Sequence, residues 1–225
     1  MRRFLFLPLL LAFFSCKKDN SFPRTETITK GEKWGMQIGS TAADVYLQLQ
    51  QLGQQKENLG QVEVTGQLST LFNQPDEIGP RMALYSGISI EKQQATYPDR
   101  VIISFYGDKI SNIDEGSGLT APVTQWPQNA PEEIALRRDE NLGGIYNKLQ
   151  AIYTTGVLEG YAIRLGQKSL GKPFDPVMAD HDQWRFVFNE SVSAGVDGRY
   201  TVTLHFKNGR LERIYIEYSE FEVMN

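Results

Sequence analysis

The sequence predicts an α+β fold made of two tandem repeats, each a helix packed on an antiparallel sheet of about four strands. Three observations carry that expectation. The stretch "VIISFYGDKISNI", Val101 to Ile113, returns as "VTLHFKNGRLERI", Val202 to Ile214. In both, apolar residues alternate (Val101, Ile103, Phe105 and Val202, Leu204, Phe206) and run into a turn, "YGDK" or "KNGR", whose glycine tolerates the positive φ of a tight hairpin. A helical stripe recurs at the same interval, Val45, Leu49 and Leu52 in one half and Ile145, Leu149 and Ile152 in the other. Lesser matches keep the order: "GQLS" from Gly66 over "GQKS" from Gly166, and Leu84 and Ile88 over Trp184 and Phe188.

The elements follow in chain order. Residues 1–15 hold Arg2 and Arg3, an apolar run from Phe4 to Phe14 interrupted by Pro8, and Ser15 ahead of the single cysteine, Cys16. That run is too short to span a bilayer as a helix and reads as a cleaved signal peptide. Residues 16–30, polar and without apolar period, read as a flexible tether. The first repeat occupies 31–120. Its helix has Ser40 or Thr41 as N-cap, Asp44 as the capping-box acid and Gly53 as the stop, with strands near 61–66, 82–92, 99–106 and 109–115. A linker over 121–138 carries Pro122, Pro127 and Pro131, and its Trp126 is expected to plug the groove between repeats. The second repeat, 139–225, has a helix over 139–155, interrupted by Gly143 and Gly144, and strands near 160–166, 183–190, 199–207 and 210–219.

Composition narrows function by class. With 40% apolar and 22% charged residues the chain has the content of a folded body, and one cysteine excludes an intrachain disulfide. The net charge is −4; loss of Arg2 and Arg3 with the signal peptide leaves 21 basic against 27 acidic residues, a net of −6. That balance disfavours nucleic acid, whose phosphates require a basic surface. No P-loop or nucleophile-elbow motif occurs, so no cofactor is implied and no catalytic residue is assigned. With two histidines in the chain, acid–base and metal schemes reduce to one loop, where Asp175, Asp180, His181 and Asp182 cluster. A metal-dependent hydrolase using Asp180-His181-Asp182 is the alternative that this loop suggests; a solvated loop is the simpler reading.

The favoured site is a surface. If Trp184, Phe186 and Phe188 pack under a helix, alternation puts Arg185, Thr203, His205, Arg213, Tyr215 and Glu217 on the opposite sheet face. Arginine and tyrosine among small apolar groups is the composition of protein interfaces.

The N-terminal pattern, a short apolar run ending in Ser15-Cys16, resembles the lipobox of Gram-negative lipoproteins, which implies palmitate and diacylglycerol on Cys16 and an anchor in the cell envelope. Lys17 in the next position implies the outer membrane by the same resemblance. The run Ile38-Gly39, Thr41, Val45, Leu49, with the later strand pair and its glycine turn, resembles the small lipoprotein of the barrel-assembly machinery, and a tandem of such units resembles the β-lactamase inhibitor protein. These resemblances imply a non-catalytic module that binds an envelope protein or a small ligand. The glycine-x-proline after the helix and the two cysteine pairs of those families have no counterpart here.

Overall fold

A computed structural model describes residues 23–94, 99–116 and 123–223. The signal peptide, Cys16 and the first part of the tether lie outside the described residues. The elements, in order, are β1 (Arg24–Ile28), β2 (Glu32–Lys33), β3 (Met36–Gln37), α1 (Ala42–Gln55), β4 (Gln61–Val64), β5 (Gly87–Lys92), β6 (Arg100–Tyr106) and β7 (Lys109–Asp114). They continue with β8 (Gln125–Trp126), β9 (Leu136–Arg137), α2 (Ile145–Thr154), β10 (Tyr161–Leu165), β11 (Lys168–Ser169), β12 (Gln183–Ser193), β13 (Val196–Lys207) and β14 (Arg210–Glu222). The fold is α+β, with antiparallel pairing throughout the two main sheets. The larger sheet has the order β1-β14-β13-β12-β4-β11 and the smaller β10-β5-β6-β7.

Each helix forms for the reasons its sequence supplies. Thr41 caps α1, its hydroxyl accepting from the Asp44 amide at 3.2 Å and donating to the Asp44 carboxylate at 2.7 Å. Val45, Tyr46, Leu49 and Leu52 give α1 one buried face, and Ile145, Leu149 and Ile152 do the same for α2. Gly53 is not a stop, since α1 runs through it to Gln55. A Cβ there would stand 2.7 Å from the Leu59 carbonyl oxygen, so glycine is needed for close approach of the returning chain. Ahead of α2, residues 142–144 turn as a 3-10 segment capped by Asn141, which absorbs the glycine pair.

The two cores contain a pairing that the halves did not predict. The stripe of α1 packs with Trp184, Phe186, Phe188, Val202, Leu204 and Phe206 of the second half. That of α2 packs with Ile88, Ile90, Val101, Ile103, Phe105 and Ile113 of the first. The strand after each helix goes with it: β4 pairs with β12, and β10 with β5. Helix plus strand from one half therefore completes a three-stranded meander from the other, in both directions. The contacts correspond in detail. Gly39 N donates to Leu211 O (2.7 Å), Leu211 N to Ser40 O (2.9 Å) and Ala42 N to Gly209 O (3.0 Å). In the other unit Asp139 N donates to Ile110 O (2.8 Å), Ile110 N to Glu140 O (2.9 Å) and Leu142 N to Asp108 O (2.8 Å). Alternation and helical period mark which face of an element is apolar; they carry no mark of which sheet covers it, so the expected pairing of each helix with its own strands is corrected here.

Three further expectations change. Residues Arg24–Ile28, within the expected tether, form edge strand β1 against β14, from Arg24 opposite Tyr218 to Ile28 opposite Ile214. Trp126 does not sit between the units: it lies in the core beneath α2, on β8, which pairs with β9 inside the expected linker. Strand register places Ile88 opposite Ile103 and Trp184 opposite Leu204, so Ile88 corresponds to Trp184, and Leu84 falls in a preceding 3-10 turn. The segments joining β4 to β5 and β10 to β12 differ in length, and this shifts the interval locally.

Candidate functional site: the open face of the large sheet

Strands β12, β13 and β14 bury Trp184, Phe186 and Phe188, then Val202, Leu204 and Phe206, then Ile214 and Ile216 beneath α1. Alternation turns the intervening residues to the other face, which no helix covers among the described residues. All six residues singled out from the sequence lie on it. One cross-strand row runs Arg185, Thr203, Tyr215 and Thr27; the row beside it runs Gln183, His205 and Arg213; a third holds Val187, Thr201, Glu217 and Thr25. The structure thus brings Arg185, Thr203, His205, Arg213, Tyr215 and Glu217 into one patch over three adjacent strands.

Local chemistry gives this patch order. The Gln183 amide and the Arg213 guanidinium each lie 3.1 Å from a His205 ring nitrogen, at Nδ1 and Nε2 respectively. Arginine only donates, so Nε2 accepts from Arg213; a neutral ring then carries its proton on Nδ1, which requires the Gln183 amide, placed with its nitrogen toward Nδ1, to be turned so that its oxygen accepts. Burial and then the Arg213 charge lower the His205 pKa, in keeping with a neutral ring held across three strands. Tyr215 donates to Glu217 at 3.3 Å. Arg185 and Arg199 make no ion pair among the described residues.

The alternative site is dispersed. Asp175 is buried and faces away from the loop: its carboxylate accepts from Arg81 at 3.0 Å, from the Tyr85 hydroxyl and from the Val177 amide at 3.2 Å. Asp180 and Asp182 are exposed on either side of His181, whose ring lies against Gly66. Among the described residues, no three His, Cys, Asp or Glu side chains converge as a metal site would require.

Sequence reasoning missed a buried polar seam where the two units meet. Lys168, fully buried on β11, donates to the Tyr46 hydroxyl at 2.6 Å and to Ser169 O at 2.9 Å. Tyr46 in turn donates between Ser169 O (2.6 Å) and Lys172 O (2.9 Å). Desolvation raises both Tyr46 and Tyr85, and the nearby Asp175 adds to each, so both phenols stay protonated. Contacts that cross from one unit to the other include the bridge of Lys168 to Tyr85 and those of Arg81 and Tyr85 with Asp175. The one sequence signal was a lysine between apolar strand segments, which reads equally well as an exposed turn.

No protein-family model, no curated protein and no solved structure matches the chain.

Proposed function

We propose that this protein is a lipid-anchored envelope protein acting as a non-catalytic binding module, and that the open face of its large sheet receives an envelope protein. The observation that carries the reading is the gathering of Arg185, Thr203, His205, Arg213, Tyr215 and Glu217 on one uncovered face, with an arginine–histidine–glutamine chain and a tyrosine poised there. Tyrosine and arginine on a rigid sheet are the anchors that carry most interface energy. On the same reading the chain is a tandem duplication whose repeats exchange their helix-and-strand portions. Anchorage through Cys16 fits this geometry. The eight residues 16–23 reach at most about 28 Å from a bilayer to β1, at one edge of the large sheet.

Tyr215→Ala and Arg213→Ala test the face, because both side chains point away from the core and their loss leaves the fold intact. In intact cells, each variant is expected to lower crosslinking to the native partner about fivefold or more, the equivalent of roughly 1 kcal/mol per anchor. His181→Ala and Asp182→Asn are expected to leave crosslinking unchanged. Undiminished crosslinks in the face variants overturn the proposal; a metal or hydrolytic activity lost only in the loop variants supports the hydrolase alternative.

A further inference from the structure

Among the described residues, the outer edge of β12 is open beyond Arg185. Strand β4 meets β12 only where Val64 faces Trp184 and Glu63 faces Arg185, after which β4 turns toward β11, pairing Val62 with Lys168 and Gln61 with Ser169. Among the described residues, no strand or backbone hydrogen bond reaches that side of β12 from Phe186 to Ser193. The direction of the vacant groups is set. Gln183 O accepts from Thr65 N at 2.9 Å on this side, and in an antiparallel strand main-chain groups alternate sides with period two. Those of Val187, Asn189 and Ser191 therefore point into the opening.

Where β4 and β12 part, a cleft of about 460 Å³ opens, walled by Asn58, Gln61 and Glu63 on one side and Arg185, Val187 and Arg199 on the other. Phe186 also lines it. Natural edges are usually blunted by lysine, proline or an inward charge. The stretch "FVFNESVS", 186–193, has neither lysine nor proline; its one charge, Glu190, points inward but is neutralised by Lys56, and a bulge at Ser191–Ser193 closes its far end. The edge is neutral, and the cleft beside it is basic within an acidic chain: two unpaired arginines face one glutamate, which forms no ion pair with Arg185 across the register.

We propose that this edge and cleft bind an extended acidic segment of a partner protein, which adds as a strand to β12 and sets alternate carboxylates beside Arg185 and Arg199. The proposal rests on the binding-module reading and names the chemistry of the partner. Main-chain pairing with Val187, Asn189 and Ser191 supplies affinity, and the arginines supply specificity. Arg199 stands opposite Asn189 in register, four residues along from Arg185, or about 13 Å. A segment with acids at every second position matches both.

The probe is a fluorescent peptide of about seven residues with glutamates alternating with valine or threonine, titrated against the purified full chain, with amide exchange followed in parallel. Saturable binding is expected, with slowed exchange at Val187, Asn189 and Ser191. Arg185→Glu with Arg199→Glu is expected to weaken it at least tenfold. Replacing the glutamates by lysines, or N-methylating alternate peptide amides, is expected to abolish it, and these two controls need no altered protein. No saturable binding, binding that survives N-methylation or the paired charge reversal, or protection confined to β1 overturns the inference. If the peptide fails while Arg213→Ala and Tyr215→Ala still lose native crosslinks, the open-face reading stands and the strand-addition inference alone falls.

Discussion

Lys168 shows how a single side chain can control the seam between two cores. Burial pulls its pKa from 10.5 down to about 7, outweighing the attraction of Asp175, with Lys172 lowering it further. Between about pH 7 and pH 10.5 the unfolded chain holds a proton on this amine that the folded chain has released, so the contribution of Lys168 to stability rises with pH across that window and is flat below it. Lys168→Met is expected to remove that rise. Thermal unfolding of both proteins near pH 7 and near pH 9 reads the difference, and an identical pH dependence would show that Lys168 keeps its charge in the fold. Gly53 gives a residue-scale prediction whose sign separates two effects. Helix propensity alone makes Gly53→Ala stabilising by about 1 kcal/mol. The Leu59 carbonyl oxygen, 2.7 Å from the new Cβ, makes it destabilising instead. A lowered denaturation midpoint is expected, and a raised one would mean the loop after α1 yields without cost.

At the scale of elements, alternation and stripe reported faces reliably. Val101, Ile103 and Phe105, with Val202, Leu204 and Phe206, are all buried, as the hairpin pattern requires. Phe206 lies 4.4 Å, ring to ring, from Trp184. Phe206→Ala is expected to cost about 3–5 kcal/mol, measurable by denaturant unfolding; an unaltered midpoint would mean that the core closes over the vacancy. Strand β1 was missed for a physical reason: "RTETI" buries little, with only Ile28 packed against the core, so no apolar period announces it. Its threonines favour an extended chain, but the pairing comes from the edge that β14 offers. The six residues of the open face were legible because period two fixes sides once the buried set is known. The Lys168–Tyr46 contact was not, because its partners stand 122 positions apart.

For the molecule as a whole, the exchange of helices makes a prediction that independent repeats do not share. Each half supplies a helix and strand to one core and a meander to the other. Fragments divided between residues 116 and 123 would each expose both kinds of apolar surface. Alone, each is expected to lack cooperative unfolding; mixed, they are expected to recover a single transition, read by circular dichroism. A fragment that folds cooperatively by itself would show that a helix can close on its own half. The same division would break the Tyr85 and Arg81 contacts with Asp175, which span the two units.

Spacing along the chain was enough for the α+β class, the apolar face of each helix and main strand, a helix cap at Ser40 or Thr41, the hairpin turns and the residues of the open sheet face. All of these depend on spacing within one element or across one tight turn, where geometry is local. Only the folded chain shows that the helices cross to the opposite halves, that β1 closes an edge, that Asp175 leaves its apparent cluster to face Arg81 and Tyr85, and that among the described residues part of the β12 edge has no strand beside it. Each of these turns on which of several chemically similar surfaces meet. That choice is made by loop lengths and by a few buried polar contacts at the seam, at separations no periodicity can encode.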